Sequence, residues 1–165
     1  MRTTSSTTRT TPKNTAGSGK GVDAITLLTE DHDNVKAMFE QYEGLGDRAQ
    51  ASKKKLAMQI CSELIKHATA EEEIFYPAVL AATKDDDMVD EATVEHASAK
   101  DLIAQIMEME PSEDLFDAKV KVLSELIEHH VKEEEEEMFQ KAKKAGLDLD
   151  MLGQQIAERK AEITI

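Results

Sequence analysis

The chain reads as an all-α protein, an antiparallel up-down four-helix bundle followed by a short C-terminal helix. Three observations predict this. The 165 residues hold only 4% aromatics and no Trp, and helix formers such as Ala, Leu, Glu and Lys dominate. Apolar residues recur at intervals of three and four along four long stretches, the period of an amphipathic helix. Short connectors rich in Gly, Pro and Asp separate these stretches, and short connections favour antiparallel neighbours.

The first helix opens at Asp23, with Ile25, Leu28, His32, Val35 and Phe39 on one face, and "GLGD" at 44–47 ends it. The second runs from about Arg48 to Ala82 with Leu56, Ile60, Leu64, His67, Glu71 and Phe75 inward. Pro77 is expected to kink or break it near its end. "KDDD" at 84–87 offers a loop and a helix start whose acids suit the dipole. The third helix carries Val89, Ala92, His96, Ala99, Ile103 and Ile106 on one side. "EPSED" at 110–114 breaks it, with Ser112 expected to cap the fourth helix. That helix has the stripe Phe116, Val120, Leu123, Ile127, His130, Glu134 and Met138, and stops at Gly146. "LDMLGQQIAERKA" closes the chain as a shorter amphipathic segment.

Three regions follow. Residues 1–22 are Thr, Ser and Gly with four basic residues and no acid, a composition expected to stay disordered. Residues 23–145 form the bundle, and 146–165 a helical extension. The formal net charge of −14 argues against a nucleic-acid partner, because phosphate binding needs the opposite sign. No apolar run is long enough to span a membrane, and the N-terminus has no secretory apolar core. The single cysteine, Cys61, lies in an apolar helical pattern and is expected to pack as a small hydrophobe. A cytoplasmic location fits these features.

The chemistry is carried by the histidines. His32, His67, His96 and one of His129 or His130 each fill a slot in an apolar stripe, one per helix. On helices two and four a Glu follows four residues later, on the same face and about 6 Å along the axis. Carboxylates and imidazoles meeting inside one bundle would repel or protonate one another unless a cation sat between them. Imidazole and carboxylate without thiolate suit iron, manganese or zinc. Six protein ligands exceed one tetrahedral ion and fit two bridged ions with a solvent position open. The candidate ligands are His32, His67, Glu71, His96, His130 and Glu134.

In "EHHVKEEEEEMF" at 128–139 the spacing also admits His129 with Glu133, and Glu135 if the helix bulges there. The aromatic nine residues downstream, Tyr76 after His67 and Phe139 after His130, favours the His130–Glu134 pair. The two halves echo each other: "TEDHDNVKAMF" with "TVEHASAKDLI", and "SELIKHATAEEEIFY" with "SELIEHHVKEEEEEMF".

The order His32, His67-x-x-x-Glu71, His96, His130-x-x-x-Glu134 resembles the hemerythrin-like HHE cation-binding family over roughly residues 23–145. The flanking words "EDH", "HATAEEEIFYP" and "HHVKEEEEEMF" match as well. The resemblance implies a four-helix bundle holding a non-haem di-iron centre, two iron ions ahead of manganese or zinc. The glutamates would bridge the ions and the histidines complete each shell. The implied partner is a small molecule, dioxygen, peroxide or NO, bound by a metal-binding protein more than a dedicated enzyme. The alternative is an iron- or oxygen-responsive sensor or a metal buffer without turnover. Oxygen-carrying members have a further histidine where this chain has Lys100, and an aspartate where it has Glu135. The missing ligand implies a more open or asymmetric metal pair, and favours redox chemistry, sensing or buffering over simple oxygen carriage.

Overall fold

The structure is a computed structural model that describes residues 21–165. The tail read over residues 1–22 lies outside the described residues except for its last two. Five helices and no strands occur among the described residues. Helix α1 is Ala24–Glu43. Helix α2 comprises Gln50–Ala70, a π-helical turn Glu71–Phe75, and Tyr76–Thr83. Helix α3 is Asp86–Glu108. Helix α4 comprises Phe116–Glu133, a second π-helical turn Glu134–Met138, and Phe139–Lys144. Helix α5 is Leu149–Glu162.

The helix starts follow from local chemistry in three of five cases. Asp23, Asp85 and Asp148 each accept a hydrogen bond from the backbone N–H three residues on, at 2.9, 3.2 and 3.0 Å, which satisfies one of the open donors at each N-terminus. Helix α4 departs from expectation. It starts at Phe116 with Leu115 as its N-cap, in a left-handed conformation and without a side-chain cap. Ser112 sits in the preceding turn. Phe116 is completely buried, so anchoring that ring takes precedence over capping chemistry four residues earlier.

Pro77 neither breaks nor ends α2. It falls in the first turn after the π-helical segment, where a missing N–H disturbs least. The Tyr76 N–H reaches back five residues to the Glu71 carbonyl, and the Phe139 N–H does the same to Glu134. Each inward glutamate therefore opens a wide turn, and the one in α4 has no proline. Such insertions concentrate at functional sites.

Each long helix packs on the next in sequence, and α4 returns against α1. The interior divides into two apolar clusters. One gathers Leu28 from early α1, Phe75 from late α2, Ala92 from early α3 and Phe139 from late α4. The other gathers Phe39, Ile60, Ile103 and Leu123 from the opposite ends of the same helices. Phe75 and Phe139 meet edge to face at 5.6 Å, worth about 0.5–1.5 kcal/mol beyond the area they bury. Cys61 is buried in the second cluster. Burial pushes its thiol up to about 11 against a smaller opposing pull from Lys54, so it is an inert packing residue. No helix among the described residues is long and apolar enough to cross a membrane.

Buried Lys53 is paired with Asp117, whose oxygens lie 3.1 and 3.2 Å from Nζ. Tyr42 donates to the same carboxylate at 2.6 Å. The pair closes the end of the bundle away from the π-helical turns.

Helix α5 packs on α1 and on the first π-helical turn, and Gly153 makes that approach possible. A Cβ there would stand 2.2 Å from the Val22 carbonyl oxygen and 2.8 Å from the Ala24 nitrogen. Backbone cannot yield as a side-chain tip can. Gly153→Ala is therefore expected to destabilise the protein by about 1–3 kcal/mol, read as a lower midpoint in urea with the slope unchanged.

Candidate metal centre

Between the two apolar clusters lies a polar layer. His32, His67, His96, His130, Glu71 and Glu134 are all buried, the two glutamates to 0% and 2% exposure. Each long helix supplies one histidine at the position where its stripe crosses from one cluster to the other. Helices α2 and α4 add a glutamate one turn later, at the start of the π-helical turn. All six residues singled out by spacing thus converge. His129 and Glu133 point outward, with side chains 64% and 41% exposed.

The Nε2 atoms form two pairs. His32 and His67 stand 3.2 Å apart, and His96 and His130 3.1 Å apart. Each glutamate reaches one member of both pairs. Glu71 Oε1 lies 2.8 Å from His67 Nε2 and 3.5 Å from His96 Nε2. Glu134 places Oε1 3.3 Å from His32 Nε2 and Oε2 3.1 Å from His130 Nε2. Metal–nitrogen and metal–oxygen bonds of about 2.0–2.2 Å set neighbouring ligand atoms about 3 Å apart, so these spacings match ligands sharing an ion. Glu71, His96, His130 and Glu134 form one group able to hold a metal, and His32, His67 and Glu134 another.

The outer ring nitrogens face a second set of carboxylates that motif spacing did not single out as a set. His67 Nδ1 is 2.9 Å from Asp31, and His32 Nδ1 3.2 Å from Glu135. His130 Nδ1 is 3.5 Å from Glu95, and His96 Nδ1 3.9 Å from Glu72. Each acid belongs to a helix other than that of its histidine. At His67 and His32 the acid is a hydrogen-bond partner that fixes tautomer and ring orientation and raises the basicity of a ligating imidazole. Nδ1 of His130 and of His96 face their acids without a hydrogen bond. The signal was in the internal echo: Asp31 and Glu95 each precede a histidine by one residue, and Glu72 and Glu135 each follow an inward glutamate by one. The bulge anticipated near Glu135 is present, yet Glu134 stays inward and Glu135 takes the outer nitrogen of His32.

Two lysines modify this shell. Lys100, at the position where a further histidine would complete an oxygen carrier's set, pairs with Glu72. Lys160 of α5 binds Asp31 at 2.6 Å. Burial raises the Asp31 carboxyl, but His67 and Lys160 outweigh it and hold it below the usual range.

Tyr76 is the other residue that spacing undervalued. Its hydroxyl donates to Glu134 Oε2 at 2.7 Å and lies 3.1 and 3.3 Å from the Nε2 atoms of His96 and His130. Burial first, then the charges of Glu71 and Glu134, push the phenol well above its ordinary value, so it remains a proton donor. The corresponding residue of the other half, Phe139, stacks on His32 at 5.9 Å. The two halves of the site therefore differ in polarity. A cavity of about 30 Å³ touches all four histidines and is otherwise walled largely by apolar side chains, including Leu64, Ala99 and Ile103.

The residues fit a bound metal cation on a test independent of motif. Both oxygens of Glu71, Oε1 of Glu134, and Nδ1 of His96 and His130 are buried without a hydrogen-bond partner. Native interiors rarely leave such atoms unsatisfied. Carboxylate oxygens near imidazole nitrogens without hydrogen-bond geometry are what a shared cation would explain.

Residues 23–142 match the Hemerythrin HHE cation binding domain family. The chain aligns with a DNA nickase from Nostoc sp. at 30% identity over 113 residues, covering 68% of this chain and 31% of that protein. It thus spans about a third of that relative's length. A crystal structure of a hemerythrin HHE cation binding domain-containing protein from Mycobacterium kansasii superposes with a TM-score of 0.72 at 24% identity, covering 86% of each chain. Buried imidazoles and carboxylates gathered in a helical interior define a helical protein with a site suited to metal cations. The chain belongs to the hemerythrin HHE cation-binding domain family.

Without metal, protons do part of a cation's work. Burial lowers the His67 imidazole, but the Glu71 charge and the Asp31 hydrogen bond outweigh it and hold it up to about 10. Burial likewise opposes His130, which its Glu134 partner holds up to about 9. For groups raised in the folded state, the stabilisation is complete below the ordinary value of 6.5 and disappears as pH rises through the folded values. Metal-free protein is expected to show a falling Tm from about pH 7 to pH 10. Metal-loaded protein should hold its Tm across that window, because the ion replaces the protons.

Proposed function

We propose that the chain is a non-haem di-iron protein that binds or reacts with dioxygen, peroxide or NO. One observation carries this reading: two buried carboxylates each reach one histidine of both Nε2 pairs, the arrangement required of bridging ligands. His32 and His67 would hold one ion, His96 and His130 the other, with Glu71 and Glu134 between them. Iron in this setting supplies reversible one-electron chemistry and an open coordination position for a small molecule. The four long helices are read as an antiparallel up-down bundle. Each apolar cluster combines the starts of α1 and α3 with the ends of α2 and α4, or the reverse.

The protein's own residues supply the rest. The cavity of about 30 Å³ against the four histidines has room on the order of a water molecule, which admits a diatomic and excludes larger substrates. A cleft of about 490 Å³ between α1 and α4 reaches His32 and Glu135 from outside, giving such a molecule a way in. Tyr76 holds a proton at its hydroxyl beside the His96–His130 half, directed at Glu134 Oε2. The opposite half faces Phe139 and lacks that donor. This asymmetry favours chemistry that needs a proton on one side over symmetrical reversible carriage.

DNA is not part of the proposal. The activity of the Nostoc relative belongs to a protein of which the alignment covers only 31%, and a net charge of −14 repels phosphate.

The test is anaerobic purification, a count of metals per chain, and exposure to air, peroxide and NO. Two irons per chain are expected, with an oxo-bridged absorption band after air. Fewer than one iron per chain, or retention of zinc alone, would overturn the reading. Glu71→Ala should abolish the metal pair, and an unchanged metal content in that variant would show the bridging assignment to be wrong.

A further inference from the structure

The inward site uses four of the five histidines. The fifth, His129, is held at the surface by its own pair of carboxylates. Its Nε2 lies 3.2 Å from Glu133 Oε1 on the same helix and 3.9 Å from Glu95 Oε2 on α3. Ligand atoms of these three residues all fall within 4.8 Å of one another. Bonds of about 2.0–2.2 Å to a tetrahedral ion put ligand atoms about 3.3 Å apart, so a small rotation of one carboxylate would close the set. Two carboxylates and one imidazole leave water the remaining position, the pattern of an exchangeable divalent site.

Glu95 connects this cluster to the interior. Its Oε2 faces His129, and its Oε1 faces the buried Nδ1 of His130, which has no hydrogen-bond partner. A cavity of about 20 Å³ lies behind it, with Glu91, Glu95 and Glu133 on the outer side and Glu134 and His130 on the inner side. Glu134 turns Oε2 to the His130 of that wall, 3.1 Å from its Nε2, and Oε1 to His32 on the far side. A line of carboxylates between α3 and α4 thus runs from a histidine in solvent to a carboxylate of the inner layer. Two of the other three outer acids differ in this respect: Asp31 and Glu72 are each neutralised by a lysine, whereas no lysine pairs with Glu95 or Glu135 among the described residues.

We propose that Glu95, His129 and Glu133 form a second, surface site for a divalent cation, from which the ion passes inward along Glu95 towards Glu134. The inward step rests on the di-iron reading above; the surface site does not.

Two measurements test it on the full-length protein. Metal-free protein is titrated with Zn²⁺, comparing wild type with His129→Ala and Glu133→Gln. The His129 side chain is 64% exposed and that of Glu133 41%, and neither belongs to an apolar cluster, so these variants should keep the wild-type fold and helical signal. Wild type is expected to bind one equivalent more than either variant, or to bind the last equivalent about 10–100-fold more tightly, since losing a ligand costs at least what losing an outer-shell partner does. Equal stoichiometry and affinity in all three would overturn the surface site. Anaerobic Fe²⁺ loading is then followed in time. His129→Ala should reach the wild-type iron content about tenfold or more slowly, matching its weaker capture, and an unchanged rate would overturn the inward transfer. Glu71→Gln separates the two readings. It should lose the inner ions and keep the outer Zn²⁺, whereas uptake equal to wild type would mean that the inner assignment fails while the outer one stands.

Discussion

Everything in this fold is arranged around one electrostatic constraint: two carboxylates are buried in the middle of a helical interior. An ionised carboxylate removed from water is destabilising by several kcal/mol unless opposite charge accompanies it. Four imidazoles surround Glu71 and Glu134, but neutral imidazoles alone do not cancel two negative charges. Either protons or a cation must complete the layer. The apolar clusters on both sides keep water out, which strengthens that requirement and fixes where the charge must sit.

The internal repeat explains how a short chain meets the constraint twice. Each half contributes an acid-His pair on one helix and a His-x-x-x-Glu-Glu run on the next, and the outer acids support histidines of neighbouring helices. Orientation is therefore shared across the whole bundle, and no histidine is positioned by its own helix alone. Departures from the repeat fall in the surrounding groups. Tyr76 stands where the other half has Phe139. Asp31 is tied to Lys160 and Glu72 to Lys100, while no lysine among the described residues pairs with Glu95 or Glu135. The inner six residues stay nearly symmetrical, and their surroundings make the two halves chemically distinct.

Much of this was legible in the sequence because an α-helix converts linear spacing directly into facing. His32, His67, His96 and His130 stood out as polar residues in apolar stripes, and their convergence needed only that the stripes meet. Choosing His130 over His129 was harder, since a helix offers both residues plausible neighbours. The downstream aromatic resolved it because the π-helical turns preserve the same offset in both halves. Other features were hidden for identifiable reasons. Ser112 has good capping chemistry, yet tertiary anchoring of Phe116 moved the helix start. Pro77 looked like a terminator, but a wide turn already begun at Glu71 absorbs its missing hydrogen bond. Asp31, Glu72 and Glu95 were not singled out by spacing, because their partners lie on other helices. Lys160 sits 129 positions from Asp31, a distance over which no local pattern carries information.

That last contact redraws the boundary of the working protein. The family match spans residues 23–142, but the electrostatics of the site reach further along the chain. A lysine near the end of α5 grips the carboxylate that steadies His67, and Gly153 lets the same helix lie close enough for it to do so. The segment that the family match covers is shorter than the segment that sets the basicity of one half of the site. Homologues that share the six inner residues but end differently would share the buried polar layer and not its tuning.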